Sequence, residues 1–252
     1  MKKFIITASV LLLAGCMSSE SQVREAIKKN PDLVFDAIEQ NPDRFIEVVN
    51  KAARAAQEGQ YRKQVADLKQ KQEEDVKSPK QPQLDESRRL AGDKKAPIVL
   101  VEYADFQCPA CHMAYEGLKE FKEKHPGQVQ FYFKNMPLDF HKFAYPAATY
   151  FEAVSLQGSA KGAKFYDYVF QNQDQLSDSD FLDKAAQFAG ANLDKVKSDL
   201  KSDKVKKIID GDMAEFQKFG FTGTPTVILN GVAMNGAQKI DELERVLKLT
   251  QK

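Results

Sequence analysis

The pattern of apolar and polar residues divides the chain into a helical first part and a mixed second part. Residues 17 to about 77 are rich in helix-forming residues and carry no strand pattern. Two blocks here, Asn30–Ile38 and Asn41–Val49, repeat at an offset of 11 residues, and each begins Asn-Pro-Asp. Because these three residues favour a helix start, we expect a helix to begin at each block. The second should continue from Asp43 to about Lys77 without interruption.

The two blocks place apolar side chains at equivalent positions. The pairs are Val34 and Phe45, Phe35 and Ile46, Ala37 and Val48, and Ile38 and Val49. Neither short helix can bury such a face alone, so we expect packing against each other, the main domain or another copy of the chain. The first half of this region favours oligomerisation. Beyond Gly59 the apolar stripe weakens, and a solvated stalk and an oligomer-forming helix both remain open.

Short apolar runs alternate with helical patterns in the second part. The strands predicted are Ile98–Tyr103, Val129–Phe133, Thr226–Leu229 and Val232–Met234, and the helices at either end are Pro109–Lys124 and Ile240–Leu249. Only helical patterns occur between about 141 and 219, for example Ala144–Leu156, Phe165–Phe170 and Phe181–Ala189. This order predicts an α/β domain interrupted by a helical insertion.

The N-terminal segment has the pattern of a secretory signal. A basic start, Met1-Lys2-Lys3, precedes an apolar run that is too short to span a bilayer. Leu13-Ala14-Gly15-Cys16 resembles a bacterial lipobox, in which the cysteine becomes the lipidated first residue of the mature protein. The alternatives are a signal peptide cut elsewhere and an uncleaved anchor. Lipid on Cys16 would attach the protein to the cell envelope, at the periplasmic face of a bacterial membrane or the outer cell surface.

The net charge of the chain excludes one class of partner. It is +1, and removal of residues 1–15 with two lysines leaves +1 − 2 = −1. Such a balance gives no support for nucleic-acid binding. No later segment is apolar enough over a sufficient length to cross a membrane.

Cys108-Pro109-Ala110-Cys111 stands where a buried strand gives way to a helix. The helix N-terminus provides partial positive charge and free N–H groups, which stabilise the thiolate that attacks disulfides. Outside the cytosol such a pair can act on folding proteins. With only three histidines, His112, His125 and His141, a four-ligand zinc site is poorly supplied, and we expect no metal and no cofactor.

Residues 85–252 resemble the DsbA-like thiol–disulfide oxidoreductases, which implies a thioredoxin fold with a helical insertion. Cys108 and Cys111 match the family's Cys-Pro-x-Cys, in which the first cysteine attacks and the second resolves. Phe221–Thr226 resembles its cis-proline loop, Glu102 matches its buried acid, and Lys134 is similar to a lysine that can pair with that acid. Ala110 departs from the best-known oxidase, which has histidine there, so the resemblance does not define how oxidising the site is.

Each of these residues has an expected role. The Pro109-Ala110 segment offers N–H groups to the Cys108 sulfur, and Thr224 beside cis-Pro225 holds an extended client by strand-like pairing. Glu102, if buried, exchanges protons with Cys111. The alternatives are a trans Pro225 opening a strand and a Glu102 that faces water. Candidate client-groove residues are Phe106, Gln107, Tyr145 and Met234. His112 is expected beside the site, as a polar surface residue in preference to a catalyst, and His125 and His141 are expected to be structural.

The domain organisation predicted is a lipoprotein signal peptide at 1–15, a helical arm at 16–77, a linker and lead-in at 78–96, and a DsbA-like thioredoxin domain at 97–252. The arm is similar to the extension of ScsC-type relatives, which oligomerise and isomerise disulfides. This implies an exported enzyme that forms or isomerises disulfides in cysteine-containing proteins, reset by a membrane redox partner and able to form homo-oligomers through residues 17–77. The alternative is a non-catalytic surface lipoprotein that uses the fold as a binding scaffold.

Overall fold

The structure, a computed structural model, describes residues 20–251. The predicted signal peptide and Cys16 lie outside the described residues. The described residues form two compact units, 20–65 and 66–251. Within the described range, no helix is both long and apolar enough to cross a bilayer.

The first unit is helical, as the sequence predicts. It contains α1 (Glu20–Lys29), α2 (Asp32–Glu39) and the first part of α3 (Pro42–Lys77). The two predicted helix starts are therefore found within one residue or two of the Asn-Pro pairs. Asn41 differs in its role, because its Nδ2 donates to Ala37 O at 3.1 Å instead of capping the next helix. None of residues 20–65 is buried.

The last turns of α3, residues 66–77, pack within the second unit. The Asp75 carboxylate accepts hydrogen bonds from Ala233 N at 2.9 Å and from Lys80 Nζ at 2.7 Å. Gln72 Nε2 donates to Glu242 at 3.3 Å. We expected the helical arm to extend to residue 77, whereas these contacts tie the end of that helix to the β-sheet unit.

A five-stranded sheet with the order β1-β3-β2-β4-β5 forms the centre of the second unit. The strands are β1 (Arg89–Ala91), β2 (Ile98–Ala104), β3 (Val129–Asn135), β4 (Thr226–Leu229) and β5 (Val232–Asn235). β2 and β3 are parallel, and the other neighbours are antiparallel. The sequence did not predict β1, because its three half-buried residues present no apolar run.

Helices cover the sheet and fill the connection between β3 and β4. They are α4 (Pro109–Lys124), α5 (Ala144–Ser155), α6 (Ser159–Gln171), α7 (Ser179–Phe188), α8 (Leu193–Asp199), α9 (Asp203–Lys218) and α10 (Ile240–Thr250). Short 3-10 turns occupy Glu86–Arg88 and Gln173–Gln175. The predicted thioredoxin arrangement with a helical insertion is confirmed, and the insertion comprises α5 to α9.

Strand alternation separates two cores. Leu100 of β2 and Phe131 of β3 face the larger core, which includes side chains of α4, α6 and α10. Tyr103 and Tyr132 face a smaller cluster on the opposite side, around Phe216 of α9. Because side chains alternate along a strand, neighbouring residues of β2 and β3 belong to different cores.

Candidate active site

The two cysteines lie at the junction of β2 and α4. Cys108 is the N-cap residue of α4, and Pro109 occupies the first helical position, where the absent N–H costs nothing. The side chain of Cys108 is 7% exposed, and that of Cys111, within the first turn, is fully buried. Both are free thiols. This placement gives a disulfide partner access to one sulfur only.

The Thr224–Pro225 loop faces the first cysteine. Cys108 Sγ lies 3.8 Å from Thr224 O, and the Thr224–Pro225 peptide bond is cis. Thr224 is half-buried and Pro225 is buried. Cys111 Sγ instead accepts a hydrogen bond from Asp105 N at 3.4 Å. The Phe221–Thr226 loop therefore places its backbone opposite the Cys108 sulfur, with Pro225 in the cis form.

The environments of the two sulfurs shift their pKa values in opposite directions. The hydrogen bond from the Cys111 thiol lowers the pKa of Cys108 to about 5, and backbone N–H groups of Cys111 and Ala110 act in the same direction against partial burial. Burial, followed by the hydrogen bond to Cys108, raises the pKa of Cys111 far above its usual range. At neutral pH the first sulfur is then a thiolate and the second a thiol.

Glu102 is fully buried on β2, on the face that packs against α4 and α6. Its Oε2 accepts a hydrogen bond from Tyr166 OH at 2.6 Å, while its Oε1 has no hydrogen-bond partner. Burial raises the pKa of Glu102 to about 7, against the opposing effects of Tyr166 and the Lys122 charge. The carboxyl group in turn contributes to the raised pKa of Cys111. The structure thus places Glu102 away from water.

The predicted pairing of Lys134 with Glu102 is wrong. Glu102 stands opposite Phe133 in the β2–β3 register, so the next residue, Lys134, points to the other face. There its ammonium group pairs with Glu215 and lies 3.8 Å from Asp212. The cation that acts on Glu102 comes from α4 instead. Lys122 Nζ lies 4.1 Å from the Phe131 ring centroid and 5.6 Å from that of Tyr166.

Asp105 organises the loop before the cysteines, and sequence reasoning missed it. Its buried carboxylate accepts hydrogen bonds from Gln107 N at 2.7 Å and Leu138 N at 2.9 Å. It also pairs with His141 Nδ1 at 2.7 Å. The bond to Gln107, two residues on, is a turn pattern that an Asp after a strand could have indicated. The other two partners are distant in sequence.

The helical insertion also contacts the site. Gln173 Nε2 donates to the carbonyl oxygens of Phe106 and Cys108, both at 2.9 Å. His112, expected at the surface, is half-buried, and its Nδ1 forms a hydrogen bond with Phe170 O at 2.8 Å. His125 lies outside the site and bonds to Glu244 at 2.8 Å.

The candidate groove residues are only partly accessible. Phe106 and Met234 are buried, so their prediction as lining residues is wrong, since both belong to the larger core. Gln107 is half-buried, and Tyr145 is exposed. Sequence reasoning missed two large apolar side chains that are exposed. Met113 follows Cys111 by two residues and is 60% exposed, and Phe140, between two residues that bond to Asp105, is 78% exposed. Within residues 20–251, no group of acidic, histidine or cysteine side chains is arranged to hold a metal ion.

Comparison with known proteins finds similarity over much of the chain. The family model described as thioredoxin matches residues 84–249. The chain is similar to the sodium/proton antiporter NhaA 1 of Mycolicibacterium vanbaalenii, with 31% identity over 165 residues, which are 63% of this chain and 26% of that protein. It is equally similar to the probable disulfide bond formation protein D of Bacillus cereus, with 31% identity over 158 residues, 59% of this chain and 73% of that one. The chain spans about a quarter of the length of the antiporters that it matches.

Solved structures of DsbA-like proteins share the fold. Oxidised BdbD of Bacillus subtilis superimposes with a TM-score of 0.61 and 22% identity, over 69% of this chain and 98% of that one. The alpha-DsbA1 protein of Wolbachia pipientis gives 0.57 and 24%, over 67% and 93%. The catalytic domain of Proteus mirabilis ScsC gives 0.57 and 21%, over 67% and 92%. These likenesses confirm the predicted fold.

Proposed function

We propose that this chain, which belongs to the thioredoxin family, is an exported thiol–disulfide oxidoreductase that acts on cysteine-containing proteins. The observation that carries the proposal is the opposite perturbation of its two thiols, a lowered pKa on Cys108 and a raised pKa on Cys111. A structural cysteine pair has no use for such asymmetry, whereas disulfide exchange needs one reactive and one reserved sulfur. The similarity to a probable disulfide bond formation protein supports the same conclusion.

The exchange runs in either direction through a mixed disulfide. In oxidation, a client thiolate attacks Cys108 Sγ of the Cys108–Cys111 disulfide, the S–S bond breaks, and Cys111 leaves and takes up a proton. A second client thiolate then attacks the client sulfur, and Cys108 leaves as a thiolate. The client gains a disulfide and the enzyme gains two electrons as a dithiol. The low pKa of Cys108 makes it a good leaving group in the second step.

Glu102 is proposed as the group that supplies or accepts the Cys111 proton. Its pKa of about 7 allows both protonation states near neutral pH. Its Oε1 makes no competing hydrogen bond. A buried water would carry the proton if the two groups do not meet directly.

Client proteins are proposed to bind as an extended segment along Thr224 and Pro225, beside the exposed Pro109 and the half-buried Ala110. Thr224 lies next to β4 and presents its backbone toward Cys108. Strand-like pairing of this kind recognises unfolded chain without regard to most side chains. That tolerance suits an enzyme for many exported proteins.

Attachment and assembly form a further part of the proposal. The lipobox-like Leu13–Cys16 segment supports a lipid anchor on Cys16 at the cell envelope. Exposed apolar residues of the first unit support a homo-oligomer through residues 17–77. Several sites held together would favour disulfide isomerisation, because a released client sulfur meets a second site at high effective concentration. A membrane redox partner would restore the oxidation state of the cysteine pair.

Cysteine variants test the enzymatic role. Cys108→Ser should abolish exchange because the attacking thiolate is lost. Cys111→Ser should instead accumulate mixed disulfides with a scrambled multi-disulfide client, since nothing resolves them. The species are detected by non-reducing electrophoresis and mass spectrometry, with the double variant as the control. A Cys111→Ser protein that forms no mixed disulfide would show that the roles are wrongly assigned.

Titration of the thiols distinguishes the enzyme from the alternative, a non-catalytic binding scaffold. An enzyme of this type requires Cys108 to react with iodoacetamide well below the pH at which an ordinary cysteine does. A binding scaffold has no such requirement, and a Cys108 of ordinary reactivity would favour it.

A further inference from the structure

A polar cleft of about 320 Å³ lies next to the cysteine loop. It is lined by Gln107, His112, Gln171, Gln173 and Asp174. Gln173 touches the nucleophile's own backbone, since its Nε2 donates to Cys108 O at 2.9 Å. The cleft therefore adjoins the position that a client residue next to the reacting cysteine would occupy.

The hydrogen bonds of the lining residues leave mainly acceptor groups without a partner. Both donors of the Gln173 amide are used by the carbonyls of Phe106 and Cys108, which leaves Oε1 as an acceptor. Gln171 Nε2 donates to Tyr115 OH at 2.8 Å, and its Oε1 has no partner among the described residues. Two amide oxygens are thus available to a ligand.

The tautomer of His112 follows from its partner. Phe170 O can only accept, so the ring nitrogen 2.8 Å away, Nδ1, carries the hydrogen. In the neutral imidazole, Nε2 is consequently an acceptor. Asp174 adds an exposed carboxylate, and within residues 20–251 no lysine, arginine or histidine forms an ion pair with it.

Donors are fewer on this surface. Gln107 Oε1 accepts from Phe143 N at 2.7 Å, so the Nε2 of this amide is the group left for a ligand. Gln171 Nε2 keeps one further hydrogen. Against these stand two amide oxygens, an imidazole nitrogen and a carboxylate. A carboxylate ligand would meet Asp174, whereas a cation with several N–H groups satisfies the acceptors.

We propose that this cleft binds a lysine or arginine side chain of the client adjacent to its reacting cysteine. The proposal rests on the proposed function and adds a preference to it, because the pairing at Thr224 reads only the client backbone. Clients with a basic residue next to the cysteine are then exchanged faster than those with an acidic one. Arginine should exceed lysine, since its planar group donates to several acceptors at once.

Peptide oxidation by the oxidised protein tests the preference. The peptides carry two cysteines and differ only in the residue beside the first, which is Arg, Gln or Glu. The proteins are the wild type, Asp174→Asn, Asp174→Lys, and Glu73→Lys as the charge-matched control on an exposed helical position. The quantity compared is the ratio of the Arg-peptide rate to the Glu-peptide rate. The effect of the neighbouring charge on the peptide thiol itself is common to all four proteins and cancels between them.

The wild type and Glu73→Lys should give the same ratio. Asp174→Asn should lower it by roughly two- to fivefold, as for a partly exposed ion pair, and Asp174→Lys should lower it further. High salt should reduce the wild-type ratio toward that of Asp174→Asn. Equal ratios in all four proteins would overturn the cleft assignment alone. Failure to oxidise any of the peptides would overturn the proposed function on which it rests.

Discussion

At the scale of single residues, Glu102 is an acid that the fold keeps without an ion pair. Its side chain is fully buried, and among the described contacts it bonds to Tyr166 only. Lys122 is the cation that lowers the pKa of Glu102, and burial lowers the pKa of Lys122 itself. A carboxyl group in this situation changes charge near neutral pH, so its ionisation affects the stability of the fold.

Glu102→Gln should remove a pH dependence of stability. The folded-state pKa of about 7 lies above the unfolded value of 4.5. Between these pH values the folded protein holds a proton that the unfolded chain releases, so wild-type stability falls as pH rises through that window and is then level. The free energy of unfolding of the variant minus that of the wild type should therefore increase by about 2–3 kcal/mol from pH 4.5 to pH 8. Urea denaturation at both pH values measures this, with Glu116→Gln on the exposed side of α4 as control.

At the scale of secondary-structure elements, the loops are held by side chains that a sequence pattern identifies only in part. The bounds of α4 and β4 were predicted to the residue, because a proline start and an apolar run followed by Asn-Gly are local signals. The face of Lys134 was also accessible in principle, from strand alternation once the register is known. The contacts of Asp105 with residues 138 and 141 were not, because they depend on the tertiary fold.

Asp105→Ala should loosen both loops that this carboxylate joins. It removes the acceptor for two backbone N–H groups and a histidine at a buried position. We expect a loss of about 2–4 kcal/mol in the free energy of unfolding and slower disulfide exchange. Asp139→Ala, at an exposed position of the same loop, is the control and should change little. Equal stability of the two variants would contradict the role given to Asp105.

At the scale of the whole molecule, the boundary between the two units falls inside one helix. α3 continues through Val65, and its last turns, residues 66–77, belong to the sheet unit. No sequence signal marks that point, since helix-forming residues run on both sides of it. The linker after Lys77 was the visible break, whereas the packing boundary depends on Gln72 and Asp75 reaching β5 and α10.

Two truncations should therefore differ. A protein that starts at Ala66 keeps the acceptor for Ala233 N and Lys80, and one that starts at Ser78 loses it. We expect the longer form to be more stable by about 1–2 kcal/mol in chemical denaturation. Asp75→Ala in the longer form should reproduce most of the difference. If the two truncations unfold at the same denaturant concentration, residues 66–77 contribute nothing to the domain.

Removal of the first unit should change assembly rather than folding. Its exposed apolar residues include Val34, Phe35, Phe45, Ile46, Val48 and Val49. A soluble chain from residue 20 should be oligomeric by light scattering, and one from residue 66 monomeric. Insulin reduction should survive the truncation, while refolding of a scrambled client should fall sharply. A monomeric longer chain at micromolar concentration would favour an oxidase over an isomerase.

The contacts of Gln173 limit how far the helical insertion can be removed or exchanged by protein engineering. One amide from the insertion donates to the carbonyl oxygens of Phe106 and Cys108. If the insertion were cut out or exchanged for that of a relative, Phe106 O would need another donor, whereas Cys108 O would still accept from Cys111 N and His112 N. The insertion and the cysteine loop therefore depend on each other, and a successful graft must carry residues 106–111 and 173 together.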